Sequence, residues 1–151
     1  MIIFFGPAGA GKSVQGQILS ARHGWRWFSA GQLLRDSRDP QVLDGMLSGE
    51  LIESKKVNSQ IGEAISRAKS IDQVILDGYP RTLDQAEWLV SEQSNLNQKI
   101  QLVIVLDVSH EEIIRRLKIR GRVDDNEEAI EERLNIYNRE IPRITSLMKA
   151  N

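Results

Sequence analysis

The sequence predicts an α/β domain built on a parallel sheet with helices on both faces, and three observations carry that prediction. Gly6-Pro7-Ala8-Gly9-Ala10-Gly11-Lys12-Ser13 stands between the apolar run Met1-Ile2-Ile3-Phe4-Phe5 and a helical segment, Val14 to Arg22. Two more apolar runs, Gln73-Val74-Ile75-Leu76-Asp77 and Leu102-Val103-Ile104-Val105-Leu106, are each followed by a helical pattern. Such continuous runs mark strands buried on both faces, as in a parallel sheet. The expected strands end at the glycine loop, Ser29, Asp77 and Asp107. Ligands of open parallel sheets sit at those carboxyl ends.

The chain has 151 residues, the length of one domain spanning 1–151. It has no cysteine, which excludes disulfides and thiolate metal sites and suits a reducing compartment, so a cytoplasmic location is expected. Lys plus Arg is 20 against 21 for Asp plus Glu, which gives no electrostatic case for a nucleic-acid or membrane partner. The first strand begins at residue 1, leaving no room for a cleaved signal sequence, and no apolar run approaches a membrane span.

Each element has a local reason. Trp25-Arg26-Trp27-Phe28-Ser29 is aromatic enough for a strand. Ser29 caps the helix that begins at Gly31, with Gln32 placed to complete a capping box. Asp36 to Glu50 is broken by Pro40, Gly45 and Gly49, which predicts short helices in a mobile insert. Ser54 to Lys69 reads as one helix, with Val57, Ile61, Ala64, Ile65 and Ala68 on one face. Gln73 to Asp77 is a strand, Gly78 to Thr82 a turn, and a helix follows to about Gln93. Leu102 to Leu106 reads as a fourth buried strand. Ser109 caps a helix with the stripe Ile113, Ile114 and Leu117, which Gly121 stops. Asp124 to Glu128 opens the last helix, and Pro142 is expected to kink or break it.

The glycine stretch matches the phosphate-loop pattern G-x-x-x-x-G-K-[ST] at every fixed position. Glycines let successive backbone N–H groups turn inward, and the helix that follows adds its own unpaired N–H groups. Lys12 supplies a point charge for β- and γ-phosphates, and Ser13 can ligate Mg²⁺. Asp77 ends its strand as the acid of a Walker B motif does, where it would hold Mg²⁺ through water. Arg35, Arg81, Arg116, Arg120, Arg122 and Arg133 offer the positive charge that a phosphoryl group in flight needs. Arg120-Gly121-Arg122, in a break between two helices, reads as a small lid. His23 and His110 read as structural or solvent-facing.

Together these motifs resemble those of adenylate kinases and their relatives, the nucleoside monophosphate kinases, from residue 1 to about 149. The resemblance rests on the phosphate loop, Ser29-Ala30-Gly31-Gln32-Leu33-Leu34-Arg35, Leu76-Asp77-Gly78-Tyr79-Pro80-Arg81-Thr82 with Gln85, and Gly121-Arg122-Val123-Asp124-Asp125-Asn126 with Arg133. It implies the three-layer P-loop NTPase fold, with an acceptor-binding insert at about 29–58 and a short lid at about 117–126. It implies transfer of the γ-phosphoryl group of MgATP to a nucleoside monophosphate.

By position, the resemblance gives the donor site to Gly6, Ala8, Gly9, Ala10, Gly11, Lys12, Ser13, Val14, Arg116 and Arg120. Arg116 would lie against the donor base. The acceptor site falls to Ser29, Ala30, Gly31, Arg35, Leu51, Ile52, Gly78, Arg81, Gln85, Arg122 and Arg133. Gln85 would read the base, and Arg35 and Arg81 would hold the phosphate. Lys12, Arg81, Arg120, Arg122 and Arg133 would carry the transfer, with Asp124 and Asp125 positioning lid arginines.

Two signals conflict over the acceptor. Ala30 resembles UMP/CMP kinases, whereas Gln85 resembles adenylate kinases and makes the paired hydrogen bonds that read a base. AMP is therefore the expected acceptor. A CMP/UMP kinase, or a catalytically weak nucleotide-binding or assembly protein, remains the alternative. The lid has no room for a zinc-binding insert. Family members run on past residue 151 into a fifth strand, so the resemblance implies four strands here and leaves Leu102 to Leu106 as an edge. The expected state is a monomer, with that edge open to a dimer.

Overall fold

The computed structural model describes residues 1–68 and 72–150. Among them are four strands, β1 (Ile2–Phe5), β2 (Arg26–Ser29), β3 (Val74–Asp77) and β4 (Leu102–Val105). Seven helices accompany them: α1 (Lys12–His23), α2 (Ala30–Asp36), α3 (Pro40–Ser48), α4 (Ser54–Arg67), α5 (Leu83–Glu92), α6 (His110–Arg120) and α7 (Glu127–Ala150). The strands form one parallel sheet in the order β2-β3-β1-β4. Ser29 on β2 and Phe4 on β1 both pair with Asp77 on β3. That register puts Ser29, Asp77 and the chain leaving β1 side by side at one end of the sheet.

Strand periodicity sorts the core into two faces. Ile3, Phe5, Val74 and Leu76 meet Tyr79, Ala86, Leu89, Ile144, Ile61 of α4 and the insert residues Leu34, Val42 and Val57. Ile2, Phe4 and Ile75 face the other way, against Leu19, Trp25 and Trp27. A third cluster, Ile113, Leu117, Ile130 and Leu134, joins α6 to α7. Each fully buried aliphatic side chain contributes about 1.5–3 kcal/mol of transfer free energy, enough together to hold strands only four residues long.

Several local expectations are corrected. Leu102 to Leu106 is not a buried strand: Leu102 and Val105 are 50% and 48% exposed, and β4 lies at an edge of the sheet, as the resemblance implied. The insert folds one nine-residue helix, α3, with Asp39 accepting from Gln41 N, Pro40 at the first turn and Gly49 closing the end. Ser29 does cap α2 through Gln32 N, but Gln32 does not return the bond. Its amide turns along the helix instead, donating to Asp36 Oδ1 at 2.7 Å. The last helix starts at Glu127, with Asn126 Oδ1 accepting from Ala129 N at 2.9 Å, so Asp124 and Asp125 lie in the turn before it. Pro142 sits inside that one continuous helix and marks no break. The expected end of the α4 helix at Lys69 lies outside the described residues. No helix among the described residues is long and apolar enough to cross a membrane.

Candidate active site

The loop from Gly6 to Gly11 leaves β1 and turns into α1. Gly9 has φ +84°, and a Cβ there would lie 3.1 Å from Leu117 Cγ. The loop therefore needs glycine at this position twice over, for its left-handed backbone and for the closeness of α6. Lys12 Nζ donates to the carbonyl oxygens of Gly6 (2.7 Å) and Pro7 (2.8 Å). Burial pushes its pKa down from 10.5 to about 8; Asp77 opposes the shift, and Arg81 and Arg120 add to it. Ser13 Oγ donates to Asp77 Oδ2 at 2.6 Å, joining the loop to the end of β3. Hydroxyl and carboxylate are hard oxygen donors of the kind Mg²⁺ takes, so the pair fits that ion. Among the described residues no group of three or more His, Cys, Asp or Glu side chains forms a metal cage.

Arg116 ties α6 to the same loop. Its Nη1 donates to Gly9 O and Ala10 O at 3.4 and 3.3 Å, while its Nε donates to Glu112 Oε1 at 2.7 Å. Arg115 also donates to Glu112, and the two arginines hold that carboxylate down at about 2.

The insert forms the opposite wall. Ala30 and Gly31 open α2 under the Ser29 cap, and Arg35, one turn on, reaches into the cleft. Arg81 Nε donates to Gly78 O at 3.0 Å. The protein packed around Arg81 lowers its pKa, and Arg133 lowers it further. Arg35 is lowered by burial first and then by Arg122. Gln85, on the first turn of α5, is 2% exposed and accepts at Oε1 from Arg81 N at 2.8 Å.

The expected lid, about 117–126, falls on the end of α6 and the short link from there to α7. Asp125 accepts from Arg120 in a two-pronged pair, Nε to Oδ2 being 2.8 Å, and also from the backbone N–H of Arg122. Burial pushes Asp125 up, but Arg120 outweighs it and the carboxyl stays low. Arg133 Nη2 donates to Asp124 Oδ2 at 2.9 Å and to the carbonyl oxygen of Met46 at 2.8 Å. The Arg122 side chain has no hydrogen bond or ion pair among the described residues, and it lines the cleft.

These walls enclose one cavity of about 760 Å³, well inside the range for small-molecule sites. Of the residues picked from the sequence for donor, acceptor, catalytic and metal roles, all but Gly6 line it. Gly6 lies behind the loop and meets Lys12 through its carbonyl. Lys12 and six arginines, at 35, 81, 116, 120, 122 and 133, face the same space as Asp77, Asp107, Asp124 and Glu50. Such an excess of cations suits polyphosphate oxygens. Sequence reasoning missed Leu34, Met46, Val57 and Glu50 as lining residues, and the partners that Met46 and Leu47 offer through main-chain carbonyls.

Comparison with known proteins agrees with this geometry. The family model for adenylate kinase matches residues 4–151. A curated adenylate kinase of Prochlorococcus marinus (strain MIT 9515) is 42% identical over 142 residues, covering 90% of this chain and 77% of its own. One from Synechococcus sp. (strain RCC307) is 40% identical over 147 residues, with the same shares covered. One from Mycobacteroides abscessus is 34% identical over 145 residues, covering 90% of this chain and 78% of its own.

Proposed function

The chain belongs to the adenylate kinase family, and from that premise we propose a division of labour within its cleft. The enzyme is an AMP-phosphorylating nucleoside monophosphate kinase: ATP donates its γ-phosphoryl group and AMP accepts it, giving two ADP. A phosphate oxygen of AMP forms the new bond to the γ-phosphorus, and the bond to the β–γ bridging oxygen breaks. Little covalent work falls to the protein. Its task is to hold the two nucleotides in line and to meet charge as it spreads over the moving group.

Lys12 and the loop N–H groups hold the donor's β- and γ-phosphates. Arg35 and Arg81 hold the phosphate of AMP, and Gln85 meets its base. Arg120, Arg122 and Arg133 surround the group in flight, and Asp124 and Asp125 place two of them. Asp107, at the end of the chain leaving β4, completes the donor wall without an assigned partner. Ser13 and, through water, Asp77 would hold Mg²⁺, which when bound neutralises charge on the donor phosphates. Because one chain supplies every wall of the cleft, the proposed working unit is a monomer.

One observation carries this reading: a single cavity collects the phosphate loop, Lys12 and six arginines from the insert, the turn after β3, α6, the lid and α7. A module that only bound a nucleotide would need the loop and not the arginines on the far side. The test is turnover in a coupled assay with AMP, CMP, UMP and GMP under fixed MgATP. AMP should lead clearly. A preference for CMP or UMP would move the assignment to Ala30, and no turnover with any acceptor would reduce the cleft to a binding site.

A further inference from the structure

Gln85 is buried, yet it lines the cleft, and every anchor on its amide has a fixed polarity. The Oε1 atom accepts from the main-chain N–H of Arg81 at 2.8 Å. A main-chain N–H only donates, so the amide oxygen must face it. On the other side Nε2 donates to Ser54 Oγ at 3.4 Å. A hydroxyl alone would not fix direction, because it both donates and accepts. Ser54 Oγ also lies 3.4 Å from Thr82 Oγ1, and Thr82 donates to Asp84 Oδ1. Burial pushes the Asp84 carboxyl up, but the hydrogen bonds around it outweigh burial and leave it low, and Thr82, its proton spent on Asp84, is left to accept from Ser54. An ionised carboxylate only accepts, so the hydroxyl protons point toward Asp84 and Ser54 turns a lone pair to Gln85.

We infer that Arg81 N–H and a Ser54–Asp84 relay lock the Gln85 amide in one orientation, so that the acceptor site takes a 6-aminopurine monophosphate and rejects its 6-oxo counterpart. The inference rests on the proposed role of Gln85 in meeting the acceptor base. The locked amide has one N–H and one oxygen lone pair left for a ligand. Adenine offers the complement, an acceptor at N1 beside a donor at N6. Hypoxanthine reverses the pattern, with a donor at N1 and an acceptor at O6. Against the locked amide donor meets donor and acceptor meets acceptor. Turning the amide over to suit hypoxanthine would set its NH₂ against Arg81 N–H, leaving both buried donors unpaired. Cytosine carries the same polarity as adenine, so the lock separates amino from oxo bases and leaves base size to the pocket walls. Ser54 and Asp84 act through Gln85 and are positioning residues.

The test is kcat/KM of the full chain for AMP and for inosine monophosphate, which differ at that edge alone, under saturating MgATP. Wild type should prefer AMP more than about a hundredfold, as sites built around a base-specific hydrogen bond do. Ser54→Ala and Asp84→Asn should each narrow the ratio about tenfold, the effect of about 1.4 kcal/mol. The change should fall on the KM values, with kcat at saturating AMP kept within about twofold. Ser54→Thr, which keeps the hydroxyl, should hold the wild-type ratio. Loss of both activities in proportion would make the relay merely structural and overturn the inference. A ratio narrowed by Gln85→Ala but by neither Ser54→Ala nor Asp84→Asn would overturn the lock and leave the role of Gln85 standing. A ratio unmoved by Gln85→Ala would overturn both.

Discussion

Arg133 Nη2 donates at once to the carbonyl oxygen of Met46 and to Asp124, so a side chain of α7 clasps the end of α3. The same wall holds a second clasp, Asn126 Nδ2 to Leu47 O at 3.0 Å. The Arg122 side chain, by contrast, has no hydrogen bond or ion pair to lose among the described residues. Alanine at either arginine should lower kcat about 10³-fold, the scale of a lost arginine finger. The two should differ in binding. Arg122→Ala should keep the KM for AMP within about threefold, since the role proposed for its charge lies in the transition state. Arg133→Ala should raise it about tenfold by freeing the insert. Steady-state kinetics with AMP varied will separate them. Most of kcat surviving in either variant would remove that arginine from the transfer step.

Gly49 closes α3 with φ +79°, and a Cβ there would lie 2.7 Å from the carbonyl oxygen of Ala129. Main chain cannot swing aside as a side-chain tip can. We predict that Gly49→Ala costs about 1–2 kcal/mol from the left-handed backbone alone, and more from the clash. It should also push α3 off α7 and raise the KM for AMP. Urea unfolding and AMP titration check the two parts. A variant as stable as wild type with unchanged KM would mean that α3 does not rest on α7 in solution.

Much of the site could be read from residue types. The loop, Asp77 and the arginines announce phosphate chemistry because that chemistry tolerates few substitutes, and continuous apolar runs place the loop and Asp77 at strand ends. The parts that escaped share a cause. Met46 and Leu47 act through carbonyls that every residue carries, so nothing in their side chains marks the clasp. The residues of Leu102 to Leu106 look the same whether a strand is central or an edge, and only the family resemblance put this strand at the edge where it lies. Gln32 has the right spacing for a capping box, and Asp36 and Arg35 outcompete the backbone for its amide. Ser54, Thr82, Asp84 and Gln85 meet only once α4 packs on α5.

Lys12 gives a pH dependence whose sign is fixed. Its pKa in the folded chain, about 8, lies below the ordinary 10.5, so below pH 8 folded and unfolded chains both carry the proton. There the folded state bears the cost of burying charge. As pH rises from 8 toward 10.5 the folded chain sheds the proton first and stability from this group increases. Function runs the other way, since neutral lysine no longer attracts phosphate. We predict that kcat/KM for ATP falls above about pH 8, approaching tenfold per pH unit. The kcat profile should break at higher pH, because bound phosphates raise the lysine. Flat kcat/KM to pH 9.5 would show that Lys12 stays charged in the free enzyme.

Glu112 is the last link in the donor wall. It accepts from Arg116 Nε while the Nη1 of the same guanidinium holds Gly9 O and Ala10 O, so one carboxylate fixes an arginine that in turn fixes the loop. With Nε and Nη1 occupied in this way, a contact with the donor base, as the resemblance implies for Arg116, would use its flat face. A face contact is sensed by any ring and does not depend on the groups around the ring's edge. Two consequences follow together. Glu112→Gln removes the charge that anchors Arg116, so the KM for ATP should rise about three- to tenfold while the KM for AMP stays put. The ratio of ATP to GTP in kcat/KM should hardly move, because the variant loosens a contact that both bases use alike. Initial rates with each triphosphate at fixed AMP, for wild type and Glu112→Gln, decide both points. An unchanged KM for ATP would show that the loop does not depend on this stitch. A shifted ATP-to-GTP ratio would show that Arg116 presents its edge to the base, and the face contact would be abandoned.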